Sequence, residues 1–212
     1  GDTVRSESVF VSVTVTGECP EGRYVSRSGA RDGDHIFVTG PLGGSGKGLR
    51  LLKKGFGKKI KGSSLLCVKR HISPKAKFVE GAFIGSLKVA GAMIDISDGL
   101  VNDITRICEA SKTGAVIELE NIPVFNGANL DDALYGGEDY ELLFTVHKEN
   151  LDRFKAASDK YGLRFFKIGK IKKEKGCVIF LHWRRRWRWY GLRLLWFYLE
   201  EGCGQQQKSY PY

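Results

Sequence analysis

The sequence predicts a mixed α/β fold. Short β-branched runs recur along the chain, stretches with helical apolar spacing separate them, and no repeat on the scale of about 20–50 residues is present. The 212 residues admit one large domain, or one domain with part of another. An apolar content of 42% supplies a core, and 27% charged residues is ordinary for a globular protein, so wholesale disorder is excluded.

The elements follow in order. Residues 9–16 are β-branched and alternate, which predicts a strand. Residues 21–33 are polar and turn-rich and read as a linker. Residues 35–39 form a second short strand. Residues 40–48 carry five glycines and read as a loop, with a helix beginning at Leu49. Residues 53–64 are basic and glycine-rich, again a loop. Phe78, Val79, Ala82 and Phe83 give residues 75–89 helical spacing. Residues 92–96 make a buried strand. Leu100, Val101, Ile104, Ile107 and Cys108 trace one face of a helix that Gly114 ends. Residues 115–119 and 140–146 predict strands, residues 150–158 a helix, and residues 163–168 a last strand.

Composition narrows the setting. Five Cys form no C-x-x-C pair, and their odd number and wide spacing favour neither a zinc site nor a disulfide framework. A reducing, cytoplasmic location is the simplest home. The apolar run at residues 194–199 is far shorter than the roughly 20 residues of a membrane span, and no stretch has a signal-peptide layout. The net charge is +10, of which +4 falls in residues 182–212 together with all four Trp.

Three acidic motifs carry the candidate chemistry. Asp95-Ile-Ser-Asp-Gly-Leu100 lies at a strand-to-helix junction. Its two carboxylates can converge on one cation, and hard oxygen ligands suit Mg²⁺, which needs one or two carboxylates plus substrate phosphates. Equally, Ser97 or Asp98 can cap the helix while Asp95 partners a buried donor. Gly136-Gly-Glu-Asp-Tyr-Glu141 presents Glu138 and Asp139 ahead of an apolar strand, and taken alone reads as a polar turn. Gly1-Asp2-Thr3 puts a third acid beside a strand. Arg27-Ser-Gly-Ala-Arg31 adds forked cations suited to phosphate, or is a solvated basic turn. The glycine loop is not a P-loop, because Pro41 stands where that motif needs Gly and Gly48 where it needs Ser or Thr. It is either a glycine-rich strand-to-helix turn or a backbone cradle for phosphate. His35, His71, His147 and His182 are scattered and read as structural or surface residues.

Ala92-Met-Ile-Asp-Ile-Ser-Asp-Gly-Leu100 and Ala133-Leu-Tyr-Gly-Gly-Glu-Asp-Tyr-Glu-Leu-Leu-Phe-Thr145 resemble the two most distinctive motifs of the thiamine-monophosphate kinase family. Residues 27–31, 38–43 with Gly48-Leu49, and 168–171 match the same family in the same order, so the likeness covers roughly residues 1–180. The resemblance implies an aminoimidazole ribonucleotide synthetase-like fold. Residues 1–17 would be the last loop and strand of an N-terminal ATP- and Mg²⁺-binding domain, 18–33 a linker, and 34–181 the C-terminal domain. It implies transfer of the γ-phosphoryl group of ATP to thiamine phosphate with several Mg²⁺ ions, in a homodimer built through the N-terminal domain. Carried over by motif, Gly1, Asp2, Arg27 and Ser97 bind ATP, Asp2, Asp95 and Asp98 bind Mg²⁺, and Glu138 contacts thiamine phosphate. Such chemistry asks for alignment and charge neutralisation and needs no general base, because the acceptor phosphate is already ionised. Selenophosphate synthetase and a hydrogenase maturation factor share the fold but lack this motif pair, and stand as the alternative ATP-using reading.

Two departures from the family are evident. The chain opens at Gly1, so most of an N-terminal domain is missing and turnover by this chain alone is not expected. Trp183-Arg-Arg-Arg-Trp-Arg-Trp189 stands where the family has an acidic strand. If the arginine codons are AGG, the alternative frame reads Glu-Glu-Glu-Val-Glu-Val, which points to a frame shift near Gly176 and a tail without selected function. The rival is a non-enzymatic fragment whose Arg/Trp tail binds nucleic acid or an anionic membrane surface. Nucleic acid is disfavoured because no nucleic-acid-binding fold signature is present.

Overall fold

A computed structural model describes residues 13–22, 24–55, 61–175 and 178–181. The element order is β1 (His35–Val38), α1 (Gly44–Lys53), α2 (Ser63–Ile72), α3 (Phe78–Leu87), β2 (Ala90–Asp95), α4 (Leu100–Ser111), β3 (Gly114–Glu118), α5 (Leu130–Tyr135), β4 (Leu142–Val146), α6 (Leu151–Lys160), β5 (Phe166–Lys172) and β6 (Val178–Leu181). The strands build one sheet in the order β2-β4-β1-β5-β3-β6. Every neighbouring pair is antiparallel except β3 and β6, which run parallel.

Strand alternation sorts the core into two layers. Ile36, Val38, Ala92 and Leu143 turn to one face and pack with Leu100, Ile104, Ile107 and Cys108 of α4. Phe37, Phe144 and Val146 turn to the other and pack with Ile84 of α3 and Phe154 of α6. That second layer is an aromatic cluster, with Phe37 stacked on Phe144 at 5.6 Å and Phe83 stacked on Phe165 at 5.9 Å. In α4 the buried positions recur at i, i+3, i+4, i+7 and i+8, the stripe a surface helix needs. Among the described residues no helix is long and apolar enough to cross a membrane.

The free edge of β2 is covered by the segment carrying Arg27. Met93 N donates to Ser26 O at 2.8 Å, while Ser111 Oγ of α4 donates to Arg27 O and accepts from Ala30 N.

Several sequence expectations change. Residues 13–16 form no strand, and Val13 and Val15 are exposed; residues 9–12 lie outside the described residues. The glycine-rich stretch is not a loop to residue 48. α1 begins at Gly44, and a Cβ at Gly48 would collide with Cys67 O of α2. Its glycines serve close packing rather than flexibility, Gly44 against the Phe125 ring, Gly46 against Gly136 and Gly48 against α2. α4 is ended by Lys112 in the left-handed conformation, and Gly114 opens β3 instead. β5 lies further along than residues 163–168, at Phe166–Lys172. α2 is absent from the sequence reading, although an apolar run bounded by Gly62 and Pro74 signals it.

Candidate functional site

The fold zips the two C-terminal acidic motifs together. Ile96 N donates to Glu141 O at 2.7 Å, Tyr140 N donates to Ile96 O at 2.9 Å, and Glu138 N donates to Ser97 O at 2.9 Å. Gly137 has no room for a side chain, because a Cβ there would strike Ser97 O. This ladder brings the segments carrying Asp95, Ser97, Asp98 and Glu138 together at the end of β2 and the starts of β4 and α4.

Ser97 and Asp98 do not cap α4 with their side chains. The N-cap is Gly99, at a φ of 98°. Asp103 reaches back instead, and its Oδ2 accepts from both Ser97 N and Asp98 N at 3.1 Å. A carboxylate inside the first turns satisfies the orphan donors ahead of the helix as well as an N-cap oxygen does. Arg106 donates to Asp103 Oδ1 at 2.8 Å and also pairs with Asp98. Burial pushes the Asp103 carboxyl up, opposed by the backbone donors of Asp98 and Ser97 and by Arg106.

The sign of the consequence follows. A carboxyl held above its ordinary value binds its proton more tightly in the folded state than in the unfolded one. Its contribution to stability is complete below the ordinary carboxylate range, near pH 4, and falls as pH rises through the raised value. Asp103→Asn keeps one carbonyl oxygen for the two backbone donors and removes the titration. The variant is expected to show a shallower decline in stability above about pH 4 than wild type, with Asp139 keeping its own share, checked by urea unfolding across pH 3–7; an unchanged profile overturns the assignment.

Glu138 and Tyr140 are the second unusual feature. Both adopt left-handed backbone conformations, with φ of 64° and 50°. For side-chain-bearing residues such geometry costs on the order of 1 kcal/mol each and persists only where the surroundings over-determine it. Here they do. Asp139, between them, is fully buried and accepts from Gly43 N and, at 2.9 Å, from Ser45 N. It is a remote cap on α1, whose own N-cap Gly43 offers no side chain. Burial pushes the Asp139 carboxyl up, and the Ser45 and Gly43 donors and Arg70 pull it back. Glu141, 1% exposed, pairs with Arg70, lies 3.1 Å from Lys77 Nζ, and accepts from Thr39 Oγ1 at 2.6 Å. Arg70 Nη2 also donates to Asp139 O at 3.1 Å.

The polar-turn reading of residues 136–141 therefore fails for Asp139 and Glu141. They hold the loop together, and Glu138, whose side chain is 53% exposed, is the acid presented outward. Asp95 is exposed at the end of β2, and Asp98 is half-exposed beside Arg106. Arg27 is exposed on the outer edge of β2, beyond the ladder that unites the others. Gly1, Asp2 and the Trp/Arg tail lie outside the described residues. Sequence reasoning missed Asp103, Ser45, Arg70, Lys77 and His71 as builders of the site. Arg70 and His71 lie in the basic final turn of the overlooked α2, and Lys77 is the N-cap of α3.

Among the described residues, no group of three His, Cys, Asp or Glu is arranged to hold a metal ion. Asp95 and Asp98 are a pair of accessible hard oxygen donors, a set that fits Mg²⁺ when substrate phosphates complete its shell. An apolar cleft of about 390 Å³ lined by Cys19, Tyr24, Ala82 and Met93 is separate, since none of the sequence-predicted site residues lines it.

Comparison with known proteins identifies the family. Residues 31–182 match the family described as AIR synthase related protein, C-terminal domain. A thiamine-monophosphate kinase from Buchnera aphidicola (subsp. Acyrthosiphon pisum) is 39% identical over 189 residues, covering 85% of this chain and 58% of that protein. The chain thus spans little more than half the length of the curated relative. A thiamine-monophosphate kinase structure from Stenotrophomonas maltophilia aligns with a TM-score of 0.65 at 27% identity, over 74% of this chain and 53% of that one. A structure described as AaThiL complexed with AMPPCP and TMP aligns with a TM-score of 0.62 at 36% identity, over 73% of this chain and 50% of that one.

Proposed function

The chain belongs to the AIR synthase-related family, whose C-terminal domain it contains, and we propose that it is the C-terminal part of a kinase that moves the γ-phosphoryl group of ATP to thiamine phosphate. The observation that carries this reading is the hydrogen-bond ladder. It places the Asp95–Asp98 loop and the outward-facing Glu138 side by side, as a two-substrate reaction requires. The solved structure of AaThiL complexed with AMPPCP, an ATP analogue, and TMP supports the same pair of ligands.

In this reading Asp95 and Asp98 hold Mg²⁺, and Ser97 contacts ATP between them. When bound, the cation offsets charge on the transferred phosphoryl oxygens. The chain's own residues supply position. Asp103 fixes the Ser97 and Asp98 amides, and Gly137 lets the two loops approach. Glu138, a carboxylate, repels the acceptor's phosphate and suits the cationic, N–H-bearing thiamine part. Arg27, with Gly1 and Asp2 of the opening segment, completes the ATP and metal contacts in the whole protein. That protein works as a cytoplasmic homodimer.

Because the chain spans about half of its relatives, binding is the direct test. Titrating the 212-residue chain with thiamine phosphate in a calorimeter, with and without Mg²⁺–AMPPCP, should show saturable binding that thiamine lacking the phosphate reproduces only weakly. Absence of thiamine phosphate binding, or equal binding of unrelated phosphate esters, overturns the proposal.

A further inference from the structure

Glu138 has a partner that no motif announces. His71, in the last turn of α2, places Nδ1 3.2 Å from Glu138 Oε2 and 2.9 Å from Ser45 Oγ. Ser45 sits in the first turn of α1, and its backbone N–H is held by Asp139, the neighbour of Glu138. The four residues close a circuit, Glu138–His71–Ser45–Asp139, that clamps the strained loop to α1 and α2 at two successive side chains. The imidazole is mostly buried and Glu138 is half-exposed, so one flank of the carboxylate is fixed and the other is open.

We propose that His71 is a positioning residue for ligand binding: its ring, hydrogen-bonded to Ser45 Oγ and 3.2 Å from Glu138 Oε2, holds the Glu138 carboxylate toward the thiamine part of the acceptor. This rests on the reading of Glu138 as the acceptor contact. The tautomer follows from the charge of the neighbour: a bare Nδ1 would set a lone pair 3.2 Å from the carboxylate oxygen, whereas Nδ1–H sets its positive end beside Glu138 Oε2 while hydrogen-bonding Ser45 Oγ. Glutamate is a rotamer-rich side chain, and binding that must first immobilise it is weakened. A preset carboxylate avoids that loss, and about a tenfold gain in affinity is the expected scale for one such side chain.

Two measurements test this, and they fail separately. The first reads the ring itself. Long-range ¹H–¹⁵N correlation on the ¹⁵N-labelled 212-residue chain should show His71 protonated at Nδ1, with the Nδ1 signal moving in Glu138→Gln. A bare Nδ1, or a signal indifferent to Glu138→Gln, overturns the proposal. The second reads the ligand. His71→Gln, whose amide nitrogen sits where Nε2 was, should weaken thiamine phosphate binding about tenfold, and His71→Asn, which returns an N–H at the Nδ1 position, should recover most of it. Equal affinities for both variants and wild type overturn the proposal. A wild-type chain that binds no thiamine phosphate defeats the functional reading alone, while the ring-nitrogen measurement still decides whether His71 holds Glu138.

Discussion

Glu141→Ala is expected to destabilise the fold by about 3–5 kcal/mol, measured by urea unfolding at neutral pH. The side chain is 1% exposed and is the shared acceptor for three donors, Arg70, Lys77 and Thr39 Oγ1. Removing it leaves two mostly buried cations facing each other across a void. Lys77 has a flexible stem and reaches solvent at modest cost. Arg70 does not, because its guanidinium is also tied to Asp139 O and lies over the Phe125 ring at 5.9 Å. The loss is thus mainly the cost of an orphaned charge rather than the worth of the pair. That distinction has its own check. Glu141→Leu combined with Arg70→Met removes both charges, and should recover most of the stability. A single variant within 1 kcal/mol of wild type, or a double variant no better than the single, overturns the account. The loss should also loosen the site, because Glu141 O accepts from Ile96 N in the ladder beneath Ser97.

How much of this was legible in the sequence depends on whether a residue's role is set by its neighbours in the chain or by distant ones. Ile36 against Phe37, and Leu143 against Phe144, fall on opposite faces because side-chain alternation is a property of any strand, so the sheet and the α4 stripe were readable from periodicity. The start of α1 was not. Glycines at 44, 46 and 48 argue locally for a loop, and their helical setting rests on distant partners: Phe125, Gly136 and α2 packed against them, and the Asp139 carboxylate on the Gly43 and Ser45 amides. Equally, nothing local separates Glu138 from Asp139 and Glu141 in one short motif. Burial divides them, turning two acids into internal fasteners and one into a presented ligand. The motif's chemistry was readable; the allocation of that chemistry to particular side chains required the contacts with α1 and α2.

Asp98→Asn is expected to reverse the pattern of Glu141→Ala, sparing stability and removing activity. Asp98 is half-exposed, and its ion pair with Arg106 is a solvent-screened surface interaction, so the unfolding midpoint should scarcely move. Arg106 keeps Asp103 as a partner when Asp98 is neutralised. The amide of residue 98 still donates to Asp103 Oδ2, so the loop keeps its geometry. What changes is one negative charge at a site proposed to hold Mg²⁺ against a transferring phosphoryl group. Preorganised electrostatic groups of this kind are typically worth 10²–10³ in rate. In the complete protein, Mg²⁺-dependent formation of thiamine diphosphate should therefore fall by about 10²-fold or more. Raising Mg²⁺ should restore part of the rate if the residual defect is weak metal binding, since the Asn oxygen still coordinates, though without charge. Turnover within a few-fold of wild type would remove Asp98 from the metal site. It would leave Asp98 a surface partner of Arg106, and the ladder a means of positioning Ser97 and Glu138 alone.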